Sequence, residues 1–280
     1  MKKTMLPALL AICMFAGCEK ENEIPGNGWI IDYQCTDLSS IPEEWIEKAK
    51  ENLHIAYGHT SHGSQITSGM TGLADFKGDL YAWNNGGTGG ALDLHDYAMG
   101  GDLGNPDFTA WEQKTRTYLE NNPDVNVIIW SWCGQVSGAT EKNIDTYLGL
   151  MSGLEEDYPD VTFVYMTGHL DGTGVTGNLH IRNEQIRNHC MTGEKYLYDF
   201  ADIESYDPDG NYYLDKNAND GCYYDSDQDG SLDANWAIDW QNSHAEGVDW
   251  YQCSSAHSQP LNANLKAYAA WHLWARIAGW

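Results

Sequence analysis

Directly behind the apolar stretch Leu53 to Tyr57 stands a glycine-flanked run, Gly58-His59-Thr60-Ser61-His62-Gly63. A serine placed where a strand ends is exposed and open to a substrate, which makes Ser61 the candidate nucleophile. Its hydroxyl is hardly ionised at neutral pH and needs a base. Far along the chain, Cys253-Ser254-Ser255-Ala256-His257 offers such a base, His257, in a loop ahead of the last helical pattern. A second chemistry is written in Asp225-x-Asp227-x-Asp229-Gly230-Ser231-x-Asp233. It places side-chain oxygens at positions 1, 3, 5 and 9, a glycine at 6 and a backbone carbonyl at 7, as a calcium loop requires. Trp236 occupies position 12 in place of the bidentate glutamate, so the pattern is similar to the calcium loops of dockerin or thrombospondin repeats. Asp215, Asn217 and Asn219 repeat the spacing upstream and suggest a second ion. The expected role of calcium is structural, ordering the segment that delivers His257.

Other residues allow other chemistry. His59, His62 and His169 are expected to line the cleft and, with Trp132, to bind substrate. The same histidines with Asp171 are also the ligand types of a metal-dependent hydrolase, the first alternative. Trp130, Trp132, Trp236, Trp240 and Trp250 allow a second, a noncatalytic glycan-binding protein with aromatic stacking platforms. Trp271, Trp274 and Trp280 are expected to pack the core. Cys222 and Cys253 flank the acidic stretch and are the expected disulfide.

The elements that must position these residues follow from periodicity. Ser40 with Pro42-Glu43-Glu44 opens a helix that leads to the strand Leu53 to Tyr57. A helix over 106–122 precedes the strand Val125 to Trp130; Ile144, Leu148, Met151 and Leu154 recur at helical spacing before the strand Val161 to Met166. A helix over 178–189 precedes the strand Tyr196 to Phe200, and a final helix over 262–278 has Asn262 as its cap. Apolar strands separated by amphipathic helices predict an α/β fold, a doubly wound, mostly parallel sheet of flavodoxin-like type with helices on both faces. The acidic insertion, about 204–250, breaks this rhythm, and Gly86 to Gly90 with Gly100-Gly101 mark tight loops between the first two strong strands.

This order of elements resembles the SGNH (GDSL-like) hydrolase superfamily. Ser61 matches its nucleophile in position, although the local letters are Gly-His-Thr-Ser-His-Gly. The resemblance implies that Gly87 to Gly90, with Gly90 as the donor, supply the oxyanion glycine, and that Gln135 of Ser131-Trp132-Cys133-Gly134-Gln135 stands in for the family asparagine. His257 matches the family histidine, while Ser254 stands where the family has aspartate. The base is then oriented by a backbone carbonyl or serine, or reached by Asp249. The implied reaction is acyl transfer: Ser61 attacks an ester carbonyl, His257 takes and returns the proton, and the Ser61 N–H, Gly90 and Gln135 hold the oxyanion.

Composition sets the setting. With 280 residues and 42% apolar content the chain can bury a large core, and a net charge of −26 excludes nucleic acid as a partner. Half of that charge lies between Asp199 and Asp249, where 12 Asp and 2 Glu face the single cation Lys216. Residues 1–17 read as a signal peptide, and Phe15-Ala16-Gly17-Cys18 resembles a bacterial lipobox with Cys18 lipidated. Residues 18–35 are the expected tether and 36–280 the folded domain. An outer-membrane lipoprotein follows, periplasmic or surface-exposed, touching the membrane only through its lipid. Many Trp and Tyr rings favour a carbohydrate ester as substrate, with calcium and no organic cofactor.

Overall fold

A computed structural model describes residues 30–280; the leader, Cys18 and the tether up to residue 29 lie outside the described residues. The sheet is built from β1 (Ile30–Ile31), β2 (His54–Gly58), β3 (Trp83–Asn84), β4 (Leu92–His95), β5 (Val127–Trp130), β6 (Thr162–Met166) and β7 (Leu197–Tyr198). Its order is β1-β7-β6-β5-β2-β4-β3, and every pairing is parallel. The reason is visible in β5, where Val127, Ile128, Ile129 and Trp130 are all buried. Such a strand needs cover on both faces, which only crossover helices supply.

The helices are α1 (Glu43–Asn52), α2 (Ser64–Lys77), α3 (Ala110–Asn121), α4 (Glu141–Asp157), α5 (Asn178–Gly193), the short α6 (Phe200–Ile203), α7 (Trp236–Ser243) and α8 (Pro260–Ile277). They pack in two groups: α1 and α2 against α8, and α3 and α5 against α4. The chain is thus α/β with a seven-stranded all-parallel sheet, consistent with double winding. Trp271 and Trp274 are buried on α8, as expected. Each such ring contributes roughly 2–3 kcal/mol of apolar burial.

Several boundaries differ from expectation: α3 begins at Ala110 and not at 106, α5 runs on to Gly193, and Phe200 belongs to α6 and not to the strand before it, while three further differences bear on the frame. Ile30–Ile31 is an edge strand paired with β7, so the folded domain begins before residue 36, inside the expected tether. Two residues are too few to show a period. The last helix begins with Pro260 in its first turn after Gln259; Asn262 is no cap but fully buried inside the helix, where it donates to Ser258 Oγ at 2.7 Å. Ser40 sits in a 3₁₀ turn, and Pro42 precedes α1.

After β2 the chain visits β4 and β3 on one side, then crosses to β5 on the other. Strand order therefore reverses at β2, and the loop beyond Gly58 opens at a topological switch point, where parallel sheets bind ligands. A small hairpin, β8 (Tyr223–Tyr224) with β9 (Ala234–Asn235), closes the acidic loop.

Candidate active site

The loop from β2 to α2 is tight. Ser64 N–H donates to the carbonyls of Thr60 and Ser61, each at 3.2 Å, and Tyr57 Oη donates to Gly63 O at 3.0 Å. A Cβ on Gly63 would strike the His59 side chain and stand 2.7 Å from Tyr57 Oη, so this position admits only glycine. Ser61 is thereby presented with its N–H donating to no protein acceptor among the described residues.

His257 meets it across the sequence: His257 Nε2 lies 2.9 Å from Ser61 Oγ. The histidine has φ +65°, in the left-handed region, so its loop must be fixed by its surroundings. Asn264 on α8 clasps Tyr251 through both backbone groups, at 3.0 and 3.1 Å. Gln65 on α2 donates to Ala256 O, next to the histidine, at 2.5 Å. Beneath it, the Lys266 ammonium bonds Gln65 and reaches Glu204 at 2.5 Å, both ions fully enclosed. The second Glu204 oxygen accepts Leu170 N–H at 2.8 Å, next to His169. One buried ion pair thus ties the loops bearing His257 and His169 to the helix behind Ser61.

No carboxylate orients His257. Among the described residues its Nδ1 has no protein partner; Asp249 caps Ala245 N–H at 2.9 Å, and Ser254 is exposed. Its ring lies instead on the His62 ring, with centroids 4.3 Å apart and planes at 14°. His62 in turn stacks on His169 at 3.7 Å and 5°. The His62 nitrogens are both engaged: Nε2 with Asp220 Oδ2 at 2.9 Å and Nδ1 with Cys133 Sγ at 3.3 Å. Burial pushes the His62 imidazole below its usual value against the pull of Asp220. Burial alone would raise the Asp220 carboxyl, but the His62 hydrogen bond and the charge of His169 outweigh it and hold it below the ordinary range.

Several expected roles change. Gly90 lies ahead of β4 in the tight turn from β3, at the amino-terminal edge of the sheet, away from Ser61. The glycines following β4 are Gly100, Gly101 and Gly104; Gly104 packs where a Cβ would stand 3.0 Å from the Gln135 side chain. Gln135 does reach the site, but its Nε2 donates to Asp102 Oδ1 at 3.2 Å and its Oε1 accepts Cys133 N–H at 3.1 Å. Asp102 also accepts from Thr60 Oγ1 at 3.0 Å, so it clamps the Gln135 loop to the Ser61 loop. Trp132 is buried and donates to Met166 O at 2.8 Å, and Trp130 donates to Thr115 Oγ1 at 2.8 Å; both are core, not sugar platforms. Trp236 and Trp250 are buried too, while Trp240 stacks on His244.

His59 lines no cleft. It is buried, with Nδ1 at Thr60 O (2.8 Å) and Nε2 at Asp96 Oδ1 (2.7 Å), so both nitrogens are occupied within the protein and neither is open to metal or substrate. Asp171 is taken by the Thr173 N–H and hydroxyl. The acids and imidazoles that do gather are His62, His169 and Asp220, whose ligand atoms lie within 4.8 Å of one another. Imidazole lone pairs lie in the ring plane, however, and two rings stacked at 5° direct them side by side, not onto one ion.

In the calcium-patterned loop, Asp225, Asp227 and Asp229 converge within the same limit, and Gly230 has φ +95°. Asp233 turns away to the Ser226 N–H and hydroxyl, and Ser231 Oγ donates to Asp229 at 2.6 Å. In the upstream repeat Asp215 is exposed, Asn217 sits at φ +55°, and Asn219 Oδ1 accepts the N–H groups of Gly221 and Tyr223; these residues shape a turn, not a second cage. Cys222 and Cys253 are both free thiols, bonded to Ser258 Oγ and to Pro260 O and Asn264, so the expected bridge is absent.

No family model matches the sequence, and no curated protein matches it.

Proposed function

We propose that the chain is a serine ester hydrolase of SGNH-like type. One observation carries this reading: Ser61 Oγ and His257 Nε2, separated by 196 residues of sequence, stand 2.9 Å apart at the switch point of a parallel sheet. Ser61 Oγ attacks the ester carbonyl carbon as its proton passes to His257; the alcohol leaves with that proton, and water then releases the acid by the same route. The Ser61 N–H is free to donate to the oxyanion, and one donor of that kind lowers the barrier by about 3 kcal/mol. The imidazolium formed on His257 lies against the neutral His62 ring, which Asp220 holds in place.

An ester on a carbohydrate is the substrate class in keeping with the exposed rings of Tyr97, in the loop after β4, and Tyr223, on β8, and with the strongly acidic surface. Calcium at Asp225, Asp227 and Asp229 fits the hard, oxygen-rich donor set. There it would order the insertion that brings Asp220 to His62. Anchoring at the outer membrane through Cys18 belongs to the same reading.

Labelling with a fluorophosphonate followed by peptide mapping tests it. The label should fall on Ser61, and Ser61→Ala should abolish both labelling and ester hydrolysis with a thermal midpoint within about 2 °C of the parent. Labelling at another serine overturns the assignment.

A further inference from the structure

Cys133 has no part in the serine mechanism, yet it is the thiol with the most suggestive surroundings. We propose that Cys133, His62 and Asp220 form a second nucleophilic set beside Ser61, able to take acyl groups from esters and thioesters onto the Cys133 sulfur. The proposal goes beyond the serine reading and does not require Ser61 to be active.

The geometry is that of nucleophile, base and orienting acid in sequence. Asp220 accepts at 2.9 Å, which fixes the hydrogen of His62 on Nε2 and leaves the Nδ1 lone pair facing the Cys133 thiol at 3.3 Å. Ser61 has a base but no carboxylate behind it; Cys133 has both. The sulfur also stands 4.0 Å from Ser61 Oγ, close enough for an acyl group that reaches one to reach the other. Cys133 is half-buried, at the carboxyl end of β5, next to β2 in the sheet.

The other thiols differ in their partners. Cys35 faces Ile30 O, Cys222 faces Ser258, and Cys253 faces Pro260 O and Asn264; none has an imidazole as partner. Burial pushes Cys35 and Cys222 up to about 12 and Cys253 to about 11, and raises Cys190 as well. Such thiols are inert at neutral pH.

The step balances with water alone. The thiol proton moves to His62 Nδ1 as the S–C bond forms, and the C–O bond to the alcohol breaks, the alcohol leaving with that proton. Water then attacks the thioester and gives a proton to His62. The C–S bond breaks and the sulfur recovers the proton.

Native protein is treated with iodoacetamide at neutral pH and mapped over time. Cys133 should alkylate at least about tenfold faster than Cys35, Cys190, Cys222 or Cys253, and His62→Asn or Asp220→Asn should slow it by a similar factor. In Ser61→Ala, p-nitrophenyl acetate should leave an acetyl group on Cys133 that neutral hydroxylamine removes, with none in the Ser61→Ala, Cys133→Ala double variant. Alkylation no faster than at Cys253, or an adduct formed equally fast in both His62→Asn and Asp220→Asn, overturns the proposal. Fluorophosphonate labelling of Ser61 in Cys133→Ala is read separately, so loss of the cysteine chemistry and loss of the serine chemistry are distinguishable.

Discussion

His59 and His62 stand three residues apart on one loop, and each bonds an aspartate through Nε2, Asp96 at 2.7 Å and Asp220 at 2.9 Å. They differ at Nδ1. For His59 that nitrogen meets a carbonyl, Thr60 O, so the imidazole has acceptors on both sides and serves only to hold the loop. For His62 it meets a thiol, and the ring faces are shared with two further imidazoles. A histidine–aspartate pair is thus a structural strut or a poised base according to what stands on its other nitrogen.

The strongest way to break this comparison is from beneath. If the two histidine loops are held by the enclosed Lys266–Glu204 pair, Lys266→Met leaves Glu204 buried and unpaired, at a cost of about 3–5 kcal/mol. Thermal unfolding should show a fall on the order of 10 °C, and activity at a temperature where the variant is folded should also drop. An unchanged midpoint would remove the hub from the account.

Next comes the direct exchange. His62→Asn should lower ester hydrolysis by about 100-fold with little change in midpoint, because a group against the developing imidazolium is lost. His59→Asn should do the reverse, costing about 2–3 kcal/mol of stability while leaving kcat/KM of the folded fraction within a few-fold. Chemical denaturation beside steady-state kinetics reads both, and a reversed pattern would refute the division of labour.

A smaller effect contrasts two carboxylates. Asp220 is held low by its imidazole, whereas burial, with Asp199 as a charged neighbour, lifts Asp202 to about 7. The folded protein therefore binds a proton at Asp202 that the unfolded chain has released. Its stability is complete below the ordinary carboxylate range near 4 and is lost as pH rises towards 7. Asp202→Asn should raise the midpoint by a few degrees at pH 8 and hardly at all at pH 4. An equal effect at both pH values would mean the carboxylate is not lifted.

Much of this was legible in the chain. The runs around Tyr57, Ile128 and Val164 read as buried parallel strands because continuous apolar residues need cover on both faces, and the switch point behind β2 singles out Ser61. His257 was legible because a loop before the last helix returns to that edge. Asp220 was not, since one acid among a dozen carries no mark of the turn, built by Asn219 and Gly221, that aims it at His62. Gly90 misled because β3 and β4 run parallel across a connection with room for only a 3₁₀ turn, Thr88–Gly90, which leaves that glycine at the amino-terminal end of β4. Trp132 misled because its strand-end position says nothing of the indole N–H, which finds Met166 O inside the core.

The β1 pairing gives the molecule a timetable. Ile30 lies beside Leu197, and the turn Tyr33–Thr36 rests against α8, more than 220 residues further on. A chain emerging from its amino terminus cannot close that edge until Leu197 and α8 have both been made, and contacts so far apart in sequence are slow to form. His257 likewise follows Ser61 by 196 residues. Ser61 is therefore made well before the imidazole that stands 2.9 Å from its hydroxyl, and a chain halted short of residue 257 holds that serine without it.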